Sequence, residues 1–149
     1  MNISNGFSIN ASALTAQRLR MDVISSNLAN AETTRARIEN GQAVPYRRKT
    51  VVLSPQSESF EGMLRAQMNG EATGQGVRVA AVKEDPSPLK QVYNPTHPDA
   101  NAEGYVYMPN VDVTREMVDM IAATRSYEAN VTAINASKAM IMKALEIGR

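Results

Sequence analysis

All seven prolines (residues 45, 55, 86, 88, 95, 98 and 109) and six of the eight glycines fall between residues 41 and 109. Proline removes a backbone donor and clashes with the preceding helical turn, and glycine weakens a helix interior by about 1 kcal/mol. A chain of 149 residues punctuated in this way divides into a helix, an irregular or β-rich middle, and a second helix. The expected class is α+β. Helical segments span residues 1–34 and 111–149, a β/loop region spans 35–110, and the long helices pair as a coiled-coil-like helical hairpin.

The first helix is expected from about Ser8 to Ala31. Phe7, Leu14, Met21 and Leu28 recur every seven residues, with Ala11 and Ile24 beside them, and form one apolar stripe. Ala16, Leu19 and Val23 make a weaker stripe on the opposite side. From Val113 to Ile147 there is neither Pro nor Gly. Asp112 suits the N-cap, Glu116 and Asp119 the early turns, and Lys143 with Gly148 the end. Positions three and four apart read Met117, Met120, Thr124, Tyr127, Val131, Ile134, Lys138, Ile141 and Leu145, a seam from which only Thr124 and Lys138 depart. At 1.5 Å per residue such a helix is about 50 Å long, more than a small domain needs to cover its own core. Its far side carries Val118, Ala122, Ala129, Ala133, Ala136, Met140, Ala144 and Ile147. Alanine is the best helix former and sits easily in water, but Val118, Met140 and Ile147 argue for a face that a partner covers.

In the middle, Tyr46–Leu53, Gly76–Lys83 and Gly104–Met108 have the β-branched and aromatic content of strands. Asn40-Gly41, Asn69-Gly70 and Asp85-Pro86-Ser87-Pro88 are turn signals. Phe60, Leu64 and Met68 are four apart, as in one short helix. Arg47-Arg48-Lys49 reads as a solvated strand edge or turn, and Tyr93, Tyr105 and Tyr107 as the modest core of this region.

The chemistry is sparse. Sixteen basic residues against fifteen acidic ones leave a net charge of +1, no basis for nucleic-acid binding. With no cysteine, thiolate chemistry and cysteine-ligated metals are excluded. The single histidine, His97, lies in Asn94-Pro95-Thr96-His97-Pro98-Asp99, and one histidine with Asp99 falls short of the three or four ligands zinc takes. A rigid loop with turn hydrogen bonds is the expected role. No phosphate-binding loop, nucleophile elbow or HExxH pattern occurs. No catalytic residue, metal or cofactor is expected. No apolar run approaches the ~18–20 residues that span a bilayer. Residues 1–6 lack the basic and apolar regions of a cleaved signal peptide, so export, if any, is expected to leave the N-terminus in place.

Two terminal segments resemble the flagellar rod and hook proteins. They are Ser25-Ser-Asn-Leu-Ala-Asn-Ala-Glu-Thr-Thr34, closing the first helix, and Asn110-Val-Asp-Val-Thr-Arg-Glu-Met-Val-Asp-Met-Ile121 with Arg125-Ser-Tyr-Glu-Ala-Asn130. Between them, Tyr93–Ala100 and Glu103–Val111 are similar to the proximal-rod members, and the short middle fits the same group. One departure is plain: many relatives follow Asn-Leu-Ala-Asn closely with Thr-x-Gly-Tyr, whereas here Thr34 leads into Arg35-Ala36-Arg37 and the nearest tyrosine is Tyr46. The resemblance implies a structural subunit of the proximal rod of the basal body, exported uncleaved through the flagellar type III apparatus and polymerising in the periplasm. It implies as partners copies of the chain, other rod proteins, the adaptor protein at the membrane ring and the export apparatus. The stripe and seam residues, with Ala129, Ala133 and Ala136, would then form the assembly interface. The competing reading is a soluble coiled-coil adaptor or type III secretion-associated interaction protein, which would also need long amphipathic ends and no catalytic residues.

Closing a loop of about 80 residues to pair the terminal helices costs about 4 kcal/mol beyond a constant term. A lone two-helix hairpin only half-buries its seams, so folding of the ends is expected to be favourable once neighbours cover the other faces.

Overall fold

The computed structural model describes residues 3–39, 42–56, 64 and 76–147. Among the described residues, two long helices precede and follow three antiparallel strand pairs in chain order. Helix α1 is Ile3–Ala29 and helix α2 is Val113–Ile147, with β1 (Arg37–Glu39), β2 (Gln42–Val44), β3 (Lys49–Pro55), β4 (Val77–Glu84), β5 (Lys90–Tyr93) and β6 (Tyr105–Met108) between them. The pairs are β1–β2, β3–β4 and β5–β6. This is the expected α+β arrangement. Phe60, Met68 and the Asn69-Gly70 turn signal lie outside the described residues; of the expected short middle helix only Leu64 is described, and it is helical and exposed.

Local chemistry explains the helix ends. Asp112 caps α2 as expected: its Oδ1 accepts from the backbone N–H of Thr114 at 3.0 Å and Arg115 at 3.4 Å. Helix α1 begins five residues before the expected Ser8, running through Gly6, where added side-chain volume would meet open space. It stops short of Ala31: after Asn30, whose backbone N–H still reaches the Ser26 carbonyl at 3.1 Å, the chain tightens into three-residue turns through Ala31 and Thr33.

The strands fall within a few residues of expectation, and β5 and the β1–β2 hairpin are additions. In β1–β2, Arg37 faces Val44, Ile38 faces Ala43 and Glu39 faces Gln42; the Asn40-Gly41 turn signal lies between them, on residues outside those described. Backbone bonds from Asp85 N–H to the Arg48 carbonyl and from Gln56 N–H to the Gly76 carbonyl, both 2.7 Å, bracket β3–β4. Asp85-Pro86-Ser87-Pro88 is a turn, closed by Ser87 N–H on Asp85 Oδ1 at 3.0 Å.

The chain resolves into two compact units. One comprises Met1–Leu19, Val52–Ala81 and Ala123–Arg149; among its described residues the buried apolar side chains are small, Ala16 and Ala123. Ser12 Oγ there accepts from Val77 N–H at 3.0 Å, and Gly76 approaches so closely that a Cβ would sit 2.7 Å from that oxygen. The other unit comprises Arg20–Val51 and Val82–Ala122, with Ile24, Tyr46, Val106 and Val111 buried.

In this second unit β5–β6 corrects the reading of the tyrosines as core. Strand alternation puts Val106 on the buried face and places Tyr93, Tyr105 and Tyr107 together on the other, all exposed. Tyr93 and Tyr105 pack edge-to-face with ring centroids 5.3 Å apart. Their face also covers Gly104, which holds a φ of +82° that a side-chain-bearing residue would resist.

Candidate functional site

The candidate interface residues divide by exposure. On α1, Ile24 is buried; Phe7, Leu14 and Met21 are half-buried; Leu28 is exposed. The most enclosed positions are Ala16, Ile24 and Asn27, so the buried face is turned away from the heptad stripe. Hydrophobic spacing marked Ile24 and Ala16, on different stripes, and passed over Asn27 because it is polar. On α2, Met120, Tyr127, Val131, Ile134 and Ile141 are half-buried, whereas Met117 and Leu145 are exposed. Ala129, Ala133 and Ala136 are exposed, and on the same helix Val118, Ile121 and Met140 are 61 to 66% exposed.

The most enclosed polar chemistry lies elsewhere, in the unit containing residues 20–51 and 82–122. Asn27, near the end of α1, and Glu116, in the first turn of α2, are buried, and Glu116 has no exposed surface. Asn27 Nδ2 donates to the Lys49 carbonyl at 2.8 Å and to Glu116 Oε2 at 3.0 Å. Its Oδ1 accepts from Lys49 N–H and from the Tyr46 hydroxyl, both at 2.9 Å. Both donors and both acceptor positions of the amide are thus filled. Toward Lys49 the side chain behaves as a neighbouring strand would, answering both backbone groups of one residue.

Arg48 completes the cluster. Its Nε donates to Glu116 Oε1 at 2.6 Å, and its terminal nitrogens lie 3.4 Å from Asp85 and 3.5 Å from Asp119. Asp119 also lies 3.8 Å from Arg20. Burial works to lower the Arg48 pKa, but the hydrogen bond and charge of Glu116, and then of Asp85, outweigh it and hold the guanidinium above its usual value. Asp85 is held below the usual carboxylate range, first by its Ser87 hydrogen bonds and then by Arg48. The basic triplet is therefore not uniformly a solvated edge. Lys49 is exposed, but Arg48 turns inward because a carboxylate with no access to water needs a cation.

Tyr46 resolves the departure in spacing after the first helix. Its N–H donates to the Thr33 carbonyl at 3.0 Å, so the β1–β2 hairpin is looped out and the ring returns to α1, buried, with its hydroxyl on Asn27. His97 sits in the expected turn-bonded loop: its Nδ1 accepts from Asp99 N–H at 3.1 Å, and Asp99 binds Arg35 and the Thr34 hydroxyl. Among the described residues no group of three His, Asp or Glu is placed to hold a metal. No described helix is long and apolar enough to cross a membrane.

Neither Asn27, Arg48 nor Glu116 stood out as a site in the sequence. The available signal was the polar Asn27 on the same helical face as Ile24, three residues away.

A family model for the flagella basal body rod protein matches residues 7–37, and one for the flagellar basal body rod FlgEFG protein C-terminal region matches 102–147. The flagellar basal-body rod protein FlgC of Bacillus subtilis strain 168 is 59% identical over 150 residues, covering all of both chains. The chain belongs to the FlgC family of flagellar basal-body rod proteins. FlgC of Borreliella burgdorferi is 44% identical, with 99% of this chain and 98% of the relative covered. FlgC of Salmonella typhimurium strain LT2 is 45% identical over the whole of both. The chain is thus a structural subunit of the basal-body rod and not an enzyme, and it assembles with other rod components. The family models cover the two segments that carry Asn27 and Glu116, the buried ends of the cluster, or knot, of Asn27, Arg48 and Glu116.

Proposed function

We propose that this rod subunit belongs to the proximal rod and polymerises through its two terminal segments, residues 1–34 and 111–149, with 35–110 as a middle region between them. In this reading the half-buried row Met120, Tyr127, Val131, Ile134 and Ile141 pairs with the α1 stripe in a coiled-coil-like hairpin. The opposite α2 face, through Ala129, Ala133 and Ala136, receives neighbouring copies and other rod proteins. Export through the flagellar apparatus without cleavage, a periplasmic position and contact with the adaptor at the membrane ring complete the proposal. The observation that carries it is the second α2 face: Ala129, Ala133 and Ala136 are exposed, and the stretch from Ala129 to Ser137 holds no formally charged residue. Small side chains there allow close backbone approach, so added volume is tolerated in the free chain and not in a packed array.

The test is Ala133→Leu in the bacterium's own chromosome. The purified variant should melt within about 0.5 kcal/mol of wild type, as exposed substitutions do, while cells fail to swim and basal bodies lack a complete rod. Ile134→Asp, on the half-buried side, should destabilise the purified chain as well. Normal swimming with intact basal bodies in Ala133→Leu cells would mean that the face is merely solvated alanine.

A further inference from the structure

The cluster of Asn27, Arg48 and Glu116 uses charge and hydrogen bonds where most small proteins place apolar side chains. A buried ion pair is a poor source of stability, because desolvation offsets most of the attraction, and replacing the whole set by apolar groups is often neutral or stabilising. Its directional bonds nevertheless admit few arrangements. Asn27 grips both backbone groups of Lys49 and holds Glu116, while Arg48, next to Lys49, binds the other oxygen of the same carboxylate. Three chain segments, 89 residues apart at their extremes, therefore meet in one mutual register. Sliding α1 by one residue along β3 would break all four Asn27 bonds and leave the Glu116 charge buried with one partner fewer. Apolar packing alone keeps stability under such shifts better than it keeps uniqueness.

We propose that Asn27, Arg48 and Glu116 are positioning residues for assembly, setting the register and crossing of α1 and α2 where the helices meet in this unit. The proposal rests on the rod-subunit reading and adds to it the device that fixes the geometry neighbours must recognise.

The triple variant Asn27→Leu, Arg48→Met, Glu116→Leu in the full-length chain separates geometry from stability. The chain has no native cysteine, so nitroxide labels at Asp22→Cys and Val118→Cys, both exposed and outside the cluster, report the α1–α2 distance by dipolar electron paramagnetic resonance. The expected result is a melting midpoint equal to or above wild type, a distance distribution at least doubled in width or split, and loss of swimming for the unlabelled variant. Arg48→Lys keeps the charge but loses the planar fork that spans three carboxylates. It should fold, broaden the distribution and reduce swimming, and it decides the matter if the triple variant does not fold. A distribution as narrow as wild type, or normal swimming, in the folded variant would overturn the proposal. The rod reading is checked apart from this, by whether the wild-type chain restores swimming to cells that lack it.

Discussion

Asn27→Ala isolates one member of the knot and leaves its partners in place. The substitution deletes four hydrogen bonds. The bond to the fully buried Glu116 carboxylate matters most, because water cannot replace it; hydrogen bonds to charged groups contribute about 1.5–3 kcal/mol. The Tyr46 hydroxyl loses a neutral bond of about 1 kcal/mol, partly recovered through Ser26 Oγ, 3.4 Å away. The Lys49 backbone groups lie at an exposed residue and count for less. The sum is about 3 kcal/mol. In the unit formed by residues 20–51 and 82–122, about 70 residues, each kcal/mol lowers the midpoint by about 4–8 °C, so the drop should be about 12–24 °C. Thermal melts followed by circular dichroism, with amide exchange at Lys49 and Glu116, measure it, and the exposed Asp22→Asn serves as control. A midpoint within about 3 °C of wild type, with unchanged exchange at both amides, would refute the view that the knot organises this unit. Removing one partner should thus cost far more than replacing all three with apolar groups, the pattern expected of a buried ionic cluster.

Acid should weaken the same unit. Asp99 is held below the usual carboxylate range first by the Arg35 hydrogen bond and then by Thr34, and Asp85 is likewise depressed. A carboxylate with a lowered folded pKa contributes stability above its unfolded pKa, about 3.9, and loses it as pH falls through the folded value. Stability should therefore decline below about pH 4, less steeply in Asp99→Asn; parallel declines in the two proteins would remove Asp99 from the explanation. His97→Ala removes one turn acceptor, while Arg35, Thr34 and the Asn94 turn still hold the loop. Swimming and rod assembly should persist. Stoichiometric metal in the purified wild type, lost in this variant, would show a functional site there.

Features carried by local chemistry were legible in the sequence. The breaker-free run after Asp112, the cap it supplies and the Asp85–Pro88 turn need only neighbouring residues, and they are found where expected. The α1 boundaries differ from the apolar spacing: the helix starts at Ile3 and ends at Ala29, where three-residue turns through Ala31 and Thr33 take over from α-helical bonding. The tyrosine hairpin was misread because composition signals a strand without saying which face meets the core; that depends on register and on what lies beneath. The knot was the least legible. Apolar spacing reports where a helix sheds water, but Asn27 and Glu116 are buried through directional bonds to groups 22 and 89 residues from Asn27. Arg48 looked like one of three surface cations until the fold brought Glu116 beside it. The residues alone determined two helices with a β-rich middle, and the terminal motifs pointed to the rod. Only tertiary structure decided which polar residues leave water, because a buried charge is tolerable only where distant segments supply both its counter-charge and its hydrogen bonds.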